Sequence, residues 1–113
     1  MLVTSELLKT FSLFETLDND DLSYLAQRSQ IERFARRAVI LNAGSQEKQV
    51  CFLFEGRLQG VDFTIDGREV GLYFVDPGDY CGELSVFDSG AQPEYVIALN
   101  SSVVVFIPVE VLR

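Results

Sequence analysis

The sequence predicts a mainly β fold: an antiparallel sandwich or barrel of jelly-roll type (a double-stranded β-helix) preceded by short helices. Short runs rich in Val, Ile, Phe and Tyr recur from Gln30 onward. Turn signals built on Gly, Asn, Asp and Pro separate them at close spacing. Helical periodicity is confined to the stretch before Gln30.

Residues 4–16 read as one or two short helical turns. Thr4 or Ser5 offers a capping hydroxyl, and Glu6 places a carboxylate in the first turn, where the helix dipole favours it. Leu7, Leu8, Phe11 and Phe14 supply an apolar stripe. Asp18 is the expected N-cap of a second helix over Asn19–Gln27, with Leu22, Leu25 and Ala26 on one face. The run Asp18, Asn19, Asp20, Asp21 lacks the glycine and the closing glutamate of a calcium loop, so it reads as capping.

From Gln30 the period shortens. Ile31 and Phe34, then Val39-Ile40-Leu41, read as short strands, and Asn42-Ala43-Gly44-Ser45 as a turn. The apolar run Val50–Phe54 suits a strand buried on both faces. Glu55-Gly56 turns the chain. Leu58–Ile65 is a strand whose alternation breaks, since Leu58 and Gly60 share one parity and Val61, Phe63 and Ile65 the other. A bulge near Gly60 reconciles the two. Asp66-Gly67 is the strongest hairpin signal. Val70, Leu72 and Phe74 then alternate with Gly71, Tyr73 and Val75. Tyr95–Leu99 and Val103–Ile107 are the closing strands, and Pro108 ends the last. These make about eight strands. Val109–Arg113 has the composition for the first turn of a further helix.

At 113 residues the chain is expected to be one domain, 1–113, with one core. No apolar run approaches the roughly 20 residues of a membrane span. No basic leader is visible either, so cytoplasm is the expected location and no membrane partner is implied. A net charge of −8 repels polyanions, so this segment is not expected to contact nucleic acid itself. Arg28, Arg33, Arg36 and Arg37, with Phe34 among them, read as a solvated strand face. The absence of histidine removes Ser-His and Cys-His catalysts and histidine-built metal sites, and no nucleophile motif is present. The chain is therefore not read as an enzyme. Cys51 and Cys81 lack C-x-x-C spacing and read as buried thiols, with a disulfide as the alternative.

The chemistry concentrates between Asp76 and Pro93. Pro77-Gly78 is a type II turn signal. Gly82-Glu83-Leu84 puts an unencumbered backbone beside a carboxylate in an apolar run, an arrangement for holding something small. Glu83 suits a ligand hydroxyl such as that of a sugar diol, because a carboxylate accepts from O–H donors. The alternative is a carboxylate paired with backbone or an arginine. Val86 and Phe87 would pin the segment to a core, and Asp88–Pro93 is a loop by composition.

These residues resemble the cyclic-nucleotide-binding effector domain of the catabolite-activator and fumarate–nitrate-regulator superfamily. The likeness runs through Leu13-Phe14 with Leu17 and Leu22, Val39-Ile40-Leu41 with Gly44, Phe52-Leu53-Phe54-Glu55-Gly56 and Asp66-Gly67-Arg68. It is most specific at Pro77-Gly78-Asp79-Tyr80-Cys81-Gly82-Glu83-Leu84, and it closes with Ala98-Leu99 and Val105-Phe106-Ile107-Pro108. The resemblance implies that Glu83 holds a ribose hydroxyl with backbone amides near Gly82 and Leu84, with Ser85 following in the same ligand-binding set. Gly60, Leu72, Tyr73 and Cys81 would flank a base.

The resemblance also places Gln92 and Pro93 where the family holds the cyclic phosphate with Arg followed by Ser or Thr. Gln92 offers no charged fork, and Pro93 has neither N–H nor hydroxyl. Losing one charge-assisted bond costs roughly 1.5–3 kcal/mol, on the order of 10- to 100-fold in affinity. Glu94 adds repulsion. The implied effector is a cyclic nucleotide or another small molecule, held by a degenerate cassette. Arg37 stands where the family has glycine, which puts a tight turn at risk. With neither a cysteine cluster nor histidine, iron–sulfur and histidine-ligated haem sensing are not implied.

As a whole, the resemblance implies the sensor domain of a bacterial transcription regulator. It would be homodimeric in its parent, with a dimer helix and DNA-binding module beyond Arg113. The alternative is a non-sensing oligomerisation or docking module of the same fold. An enzyme on a cupin-like barrel is disfavoured because cupin metal sites are histidine-built.

Overall fold

The computed structural model describes residues 2–45, 48–82 and 91–112. Its first helix, α1 (Ser5–Leu8), is capped by Thr4, whose hydroxyl accepts from the Leu7 amide at 3.1 Å. A 3-10 turn follows at Ser12–Phe14. Helix α2 (Asn19–Arg28) starts at Asp18, whose carboxylate accepts from the Asp21 amide at 2.8 Å. The Asp18–Asp21 run is thus a cap, as its spacing implied. Leu8, Phe11, Phe14, Leu22 and Leu25 are buried together.

The strands are β1 (Gln30–Phe34), β2 (Val39–Leu41), β3 (Gln49–Glu55), β4 (Leu58–Phe63), β5 (Glu69–Val75), β6 (Tyr80–Cys81), β7 (Tyr95–Ala98) and β8 (Ser102–Pro108). Among the described residues they form two four-stranded sheets, ordered β1-β8-β3-β6 and β2-β7-β4-β5, with antiparallel pairings. This is the mainly antiparallel fold with short N-terminal helices that the sequence predicts.

Strand β3 organises the interior. Successive side chains of a strand point to opposite faces. Val50 and Phe52 meet the helices together with Val105 and Ile107 of β8. Cys51 and Leu53 face the inside of the roll, against Leu41, Leu58, Val75, Cys81, Val96, Ala98 and Val104. Both faces are therefore apolar, which is why the sequence run is continuous. Cys51 and Cys81 are register partners across β3 and β6, and both are buried thiols.

Three expectations need correction. Strand β4 stops at Phe63 rather than Ile65. Ile65 lies fully exposed in the hairpin turn, because the Gly67 amide bonds Thr64 O and closes the turn there. The alternating strand β5 lies at the edge of its sheet, and only Val75 of its residues is buried. The four arginines share no strand face. Arg28 sits on α2 over the Tyr24 ring, Arg33 on β1, and Arg36 and Arg37 in the turn before β2. Finally, the turn at Arg37 is kept. Arg37 takes φ 72, its amide donates to Ala98 O at 2.8 Å, and its guanidinium pairs with Glu69 at 2.8 Å. These contacts hold a left-handed conformation that glycine would adopt more easily.

The bulge expected near Gly60 is present. The β4–β5 register runs Gly60↔Tyr73 and then Val61↔Gly71, so Leu72 is stepped over.

Candidate functional site

The turn Asp76–Asp79 leads into the site. Gly78 has φ 97 and the Asp79 amide returns to Asp76 O at 2.9 Å, which is type II geometry. The turn is tied to β3 by Gly78 N to Leu53 O at 2.8 Å and Leu53 N to Asp79 O at 2.9 Å. After β6, Gly82 adopts φ 86 and is buried; a Cβ there would lie 3.3 Å from Leu41 Cδ1. Its missing side chain lets the backbone settle against β2. Glu83, Leu84 and Ser85 lie outside the described residues, as do Val86 and Phe87.

The description resumes at Ala91. The Gln92 amide donates to Ser45 O at 2.7 Å, and Gly44 N donates to Gln92 O at 2.8 Å. The segment between Gly82 and Gln92 thus begins and ends on one stretch, Leu41–Ser45. Gln92 is 3% exposed, and its Oε1 has no hydrogen-bond partner among the described residues. Pro93 is exposed.

Strand β5 supplies a third wall. Tyr73 lies across from Gly60, and a Cβ on Gly60 would collide with the Tyr73 ring. The Tyr73 hydroxyl donates to the Glu94 carboxylate. A cleft of about 430 Å³ is lined by Tyr73, Phe74, Val75, Asp79, Tyr80, Cys81 and Glu94. Among the described residues its lining carries two carboxylates and no lysine or arginine. Arg57 stacks on Phe74 at 3.8 Å but is engaged by Asp76 at 2.9 Å. Larger clefts of about 750 and 500 Å³ lie at the helical end, away from Gly60, Tyr73, Gly82 and Gln92.

The structure therefore brings Gly60, Tyr73 and Cys81 to one side of the roll, Gly82 beside Leu41 of β2, and Gln92 to the turn after β2. It leaves Leu72 apart: 51% exposed at the bulge and outside the cleft lining. Asp79, Tyr80 and the Tyr73–Glu94 bond are features the sequence reading did not assign to the site. The two ends of that bond are 21 residues apart with no local signal joining them. Among the described residues, no group of three or more His, Cys, Asp or Glu is placed to hold a metal ion.

Comparison with known proteins agrees with this architecture. The family model for the cyclic nucleotide-binding domain matches residues 31–113. The chain belongs to the cyclic nucleotide-binding domain family. It is 30% identical over 86 residues to the potassium channel KOR1 of Oryza sativa subsp. japonica, a match covering 76% of this chain and 10% of the channel. The chain thus spans a small part of that relative's length. Among solved structures, the sensor domain of the transcriptional regulator DNR from Pseudomonas aeruginosa superposes with a TM-score of 0.83 at 20% identity, covering 95% of this chain and 72% of that one. A regulatory subunit of a cAMP-independent protein kinase A from Trypanosoma cruzi, bound to guanosine, gives a TM-score of 0.80 at 19% identity over 91% of this chain and 36% of that one. Among the described residues no helix is long and apolar enough to cross a membrane.

Proposed function

We propose that residues 1–113 form a regulatory sensing domain that binds a small effector between the Gly82 and Gln92 anchors and β5, with a cyclic-phosphate contact that has degenerated. The carrying observation is Gln92: a neutral amide, buried and without a partner at Oε1, stands where the family resemblance places a guanidinium. The carboxylates of Asp79 and Glu94 add negative charge to the neighbouring cleft. Glu83, with Leu84, Ser85 and the Gly82 backbone, would grasp the ligand hydroxyls; Gly60, Tyr73 and Cys81 would flank its other end. Weak phosphate grip does not by itself empty such a site, since the same fold in the Trypanosoma cruzi subunit holds guanosine.

The likeness to the DNR sensor domain supports a place as the effector domain of a bacterial transcription regulator. In this reading the domain is cytoplasmic and regulatory rather than catalytic. Its parent is a homodimer that contacts DNA through a separate module. A metabolite thermal-shift screen is expected to find one strong stabiliser. Calorimetry is expected to give weak binding of cyclic AMP and cyclic GMP. Micromolar binding of either that vanishes in Glu83→Ala would contradict the phosphate argument.

The second reading is a docking or oligomerisation module that senses nothing. The exposed apolar side chains of β5, Leu72 and Phe74, favour it. A screen in which no metabolite stabilises the chain would support it.

A further inference from the structure

Cys51 and Cys81 are the chain's two cysteines, and the fold sets them directly opposite each other as register partners of β3 and β6. Opposed side chains of a ladder share one face, and both sulfurs lie in the apolar interior with Leu41, Leu53, Val75 and Val104. Packing alone asks only for a small apolar side chain at each position. Opposed Cα atoms of an antiparallel pair stand about 4.5 or about 5.5 Å apart, and both spacings fall within the roughly 4.4–6.8 Å that a disulfide spans. Opposed Cβ atoms stand about 4.5–5.5 Å apart, against about 3.5–4.5 Å in a disulfide, so the strands must draw together by about 1 Å. β6 can supply that movement, because it is two residues long and lies at the edge of its sheet. Access is unequal. Cys81 lies on the wall of the cleft of about 430 Å³ that it shares with Tyr73 and Glu94, and Cys51 lies behind it, outside that lining.

We infer that Cys51 and Cys81 form a reversible disulfide when the chain meets hydrogen peroxide, with Cys81 reacting first and Cys51 completing the bond. In the first step the Cys81 thiolate attacks a peroxide oxygen. An S–O bond forms and the O–O bond breaks. The departing hydroxide takes up the proton that the thiol gave up and leaves as water. In the second step the Cys51 thiolate attacks the Cys81 sulfur. The S–S bond forms, the S–O bond breaks, and the leaving hydroxide collects the Cys51 proton as a second water. Together the two thiols lose two electrons and two protons, and the peroxide is reduced to water. A small thiol reverses the bond by exchange. The disulfide fastens β6, and the Gly82 backbone that follows it, to the central strand β3. It needs neither Glu83 nor Gln92, so it stands independently of the sensing function proposed above.

Mass spectrometry of the full chain tests it, after treatment with hydrogen peroxide, quenching, denaturation and alkylation. The native chain is expected to lose two hydrogens and to take up no alkyl group, with the Cys51 and Cys81 peptides joined after proteolysis. Dithiothreitol should restore both alkylatable thiols. Cys51→Ala should stop at the sulfenic acid, which dimedone traps on Cys81. Cys81→Ala should leave Cys51 reduced at the same dose of peroxide. A native chain that keeps both thiols, runs on to sulfinic acid at either cysteine, or links only to a second chain overturns the inference. A dimedone adduct on Cys51 in Cys81→Ala overturns the assigned order. If a variant fails to fold, the peptide map of the native chain decides whether the bond forms.

Discussion

Strands β3 and β5 have the same length and similar apolar content, Gln49–Glu55 against Glu69–Val75, and they end in opposite environments. β3 lies between β8 and β6, and four of its residues are buried on two faces. β5 closes the edge of the other sheet, with Leu72 at 51% and Phe74 at 50% exposure. Composition alone does not separate scaffold from working surface; neighbours do. The molecule spends its central apolar strand on cohesion and leaves its edge apolar strand, with Tyr73 and Glu94 linked across the cleft, open to what it meets.

The contrast breaks most visibly under truncation. Phe52 packs against Phe11, Phe14 and Tyr80 with ring centroids at 5.2, 5.1 and 5.6 Å. Phe52→Ala is expected to cost about 3–5 kcal/mol in urea denaturation. Leu72→Ala on β5 should stay within about 0.5 kcal/mol of the native chain. Comparable losses at the two sites would mean that β5 is packed in solution.

Next in size is the turn that leads out of β3. Gly56 has φ 96, and a Cβ there would sit 2.7 Å from Ser101 O and 2.8 Å from the Ser102 Cα, so backbone itself must move. Gly56→Ala should destabilise by about 2–3 kcal/mol. At Gly60 the nearest atoms to an added Cβ belong to the partly exposed Tyr73 side chain rather than to backbone, so Gly60→Ala should cost less than Gly56→Ala even though it strains the Tyr73–Glu94 bond.

Gln92→Leu changes the sign. Removing an acceptor that has no donor should stabilise the unliganded chain by about 1 kcal/mol, read as a raised melting temperature. Lowered stability would mean that Oε1 is satisfied in the resting protein.

The smallest effect concerns pH. The hydrogen bond from Arg37, together with its charge, holds the Glu69 carboxyl below the usual carboxylate range. A carboxyl depressed in the folded state stabilises fully above its unfolded pKa of about 4.3, and that contribution is lost as pH falls through the lower folded value. Both side chains are exposed, so the effect is small. Thermal melts from pH 6 down to pH 3, taken over about that range, should fall slightly less steeply for Glu69→Gln than for the native chain.

What could be read from the sequence was local chemistry. The Asp18 cap, the type II turn at Pro77-Gly78, the bulge near Gly60 and the doubly buried run expected over Val50–Phe54, of which Val50–Leu53 are buried and Phe54 half-buried, each depend on residues within a few positions. The exposure of β5 could not be read, because edge position follows from sheet order. The retained turn at Arg37 depends on Glu69 and Ala98, both far along the chain. For the site, resemblance located Gln92 at the phosphate position. Its burial and unused oxygen came only from the fold, as did the tie from Tyr73 to Glu94.

The central claim is that an amide has replaced a guanidinium at the anion end of the site. Calorimetric titration of cyclic AMP and cyclic GMP into the native chain and into a Gln92→Arg, Pro93→Ser double variant tests it most directly. The account predicts weak binding to the native chain and a gain of about 10- to 100-fold in the variant, the scale of one restored charge-assisted bond. Native binding as tight as the variant's would contradict it.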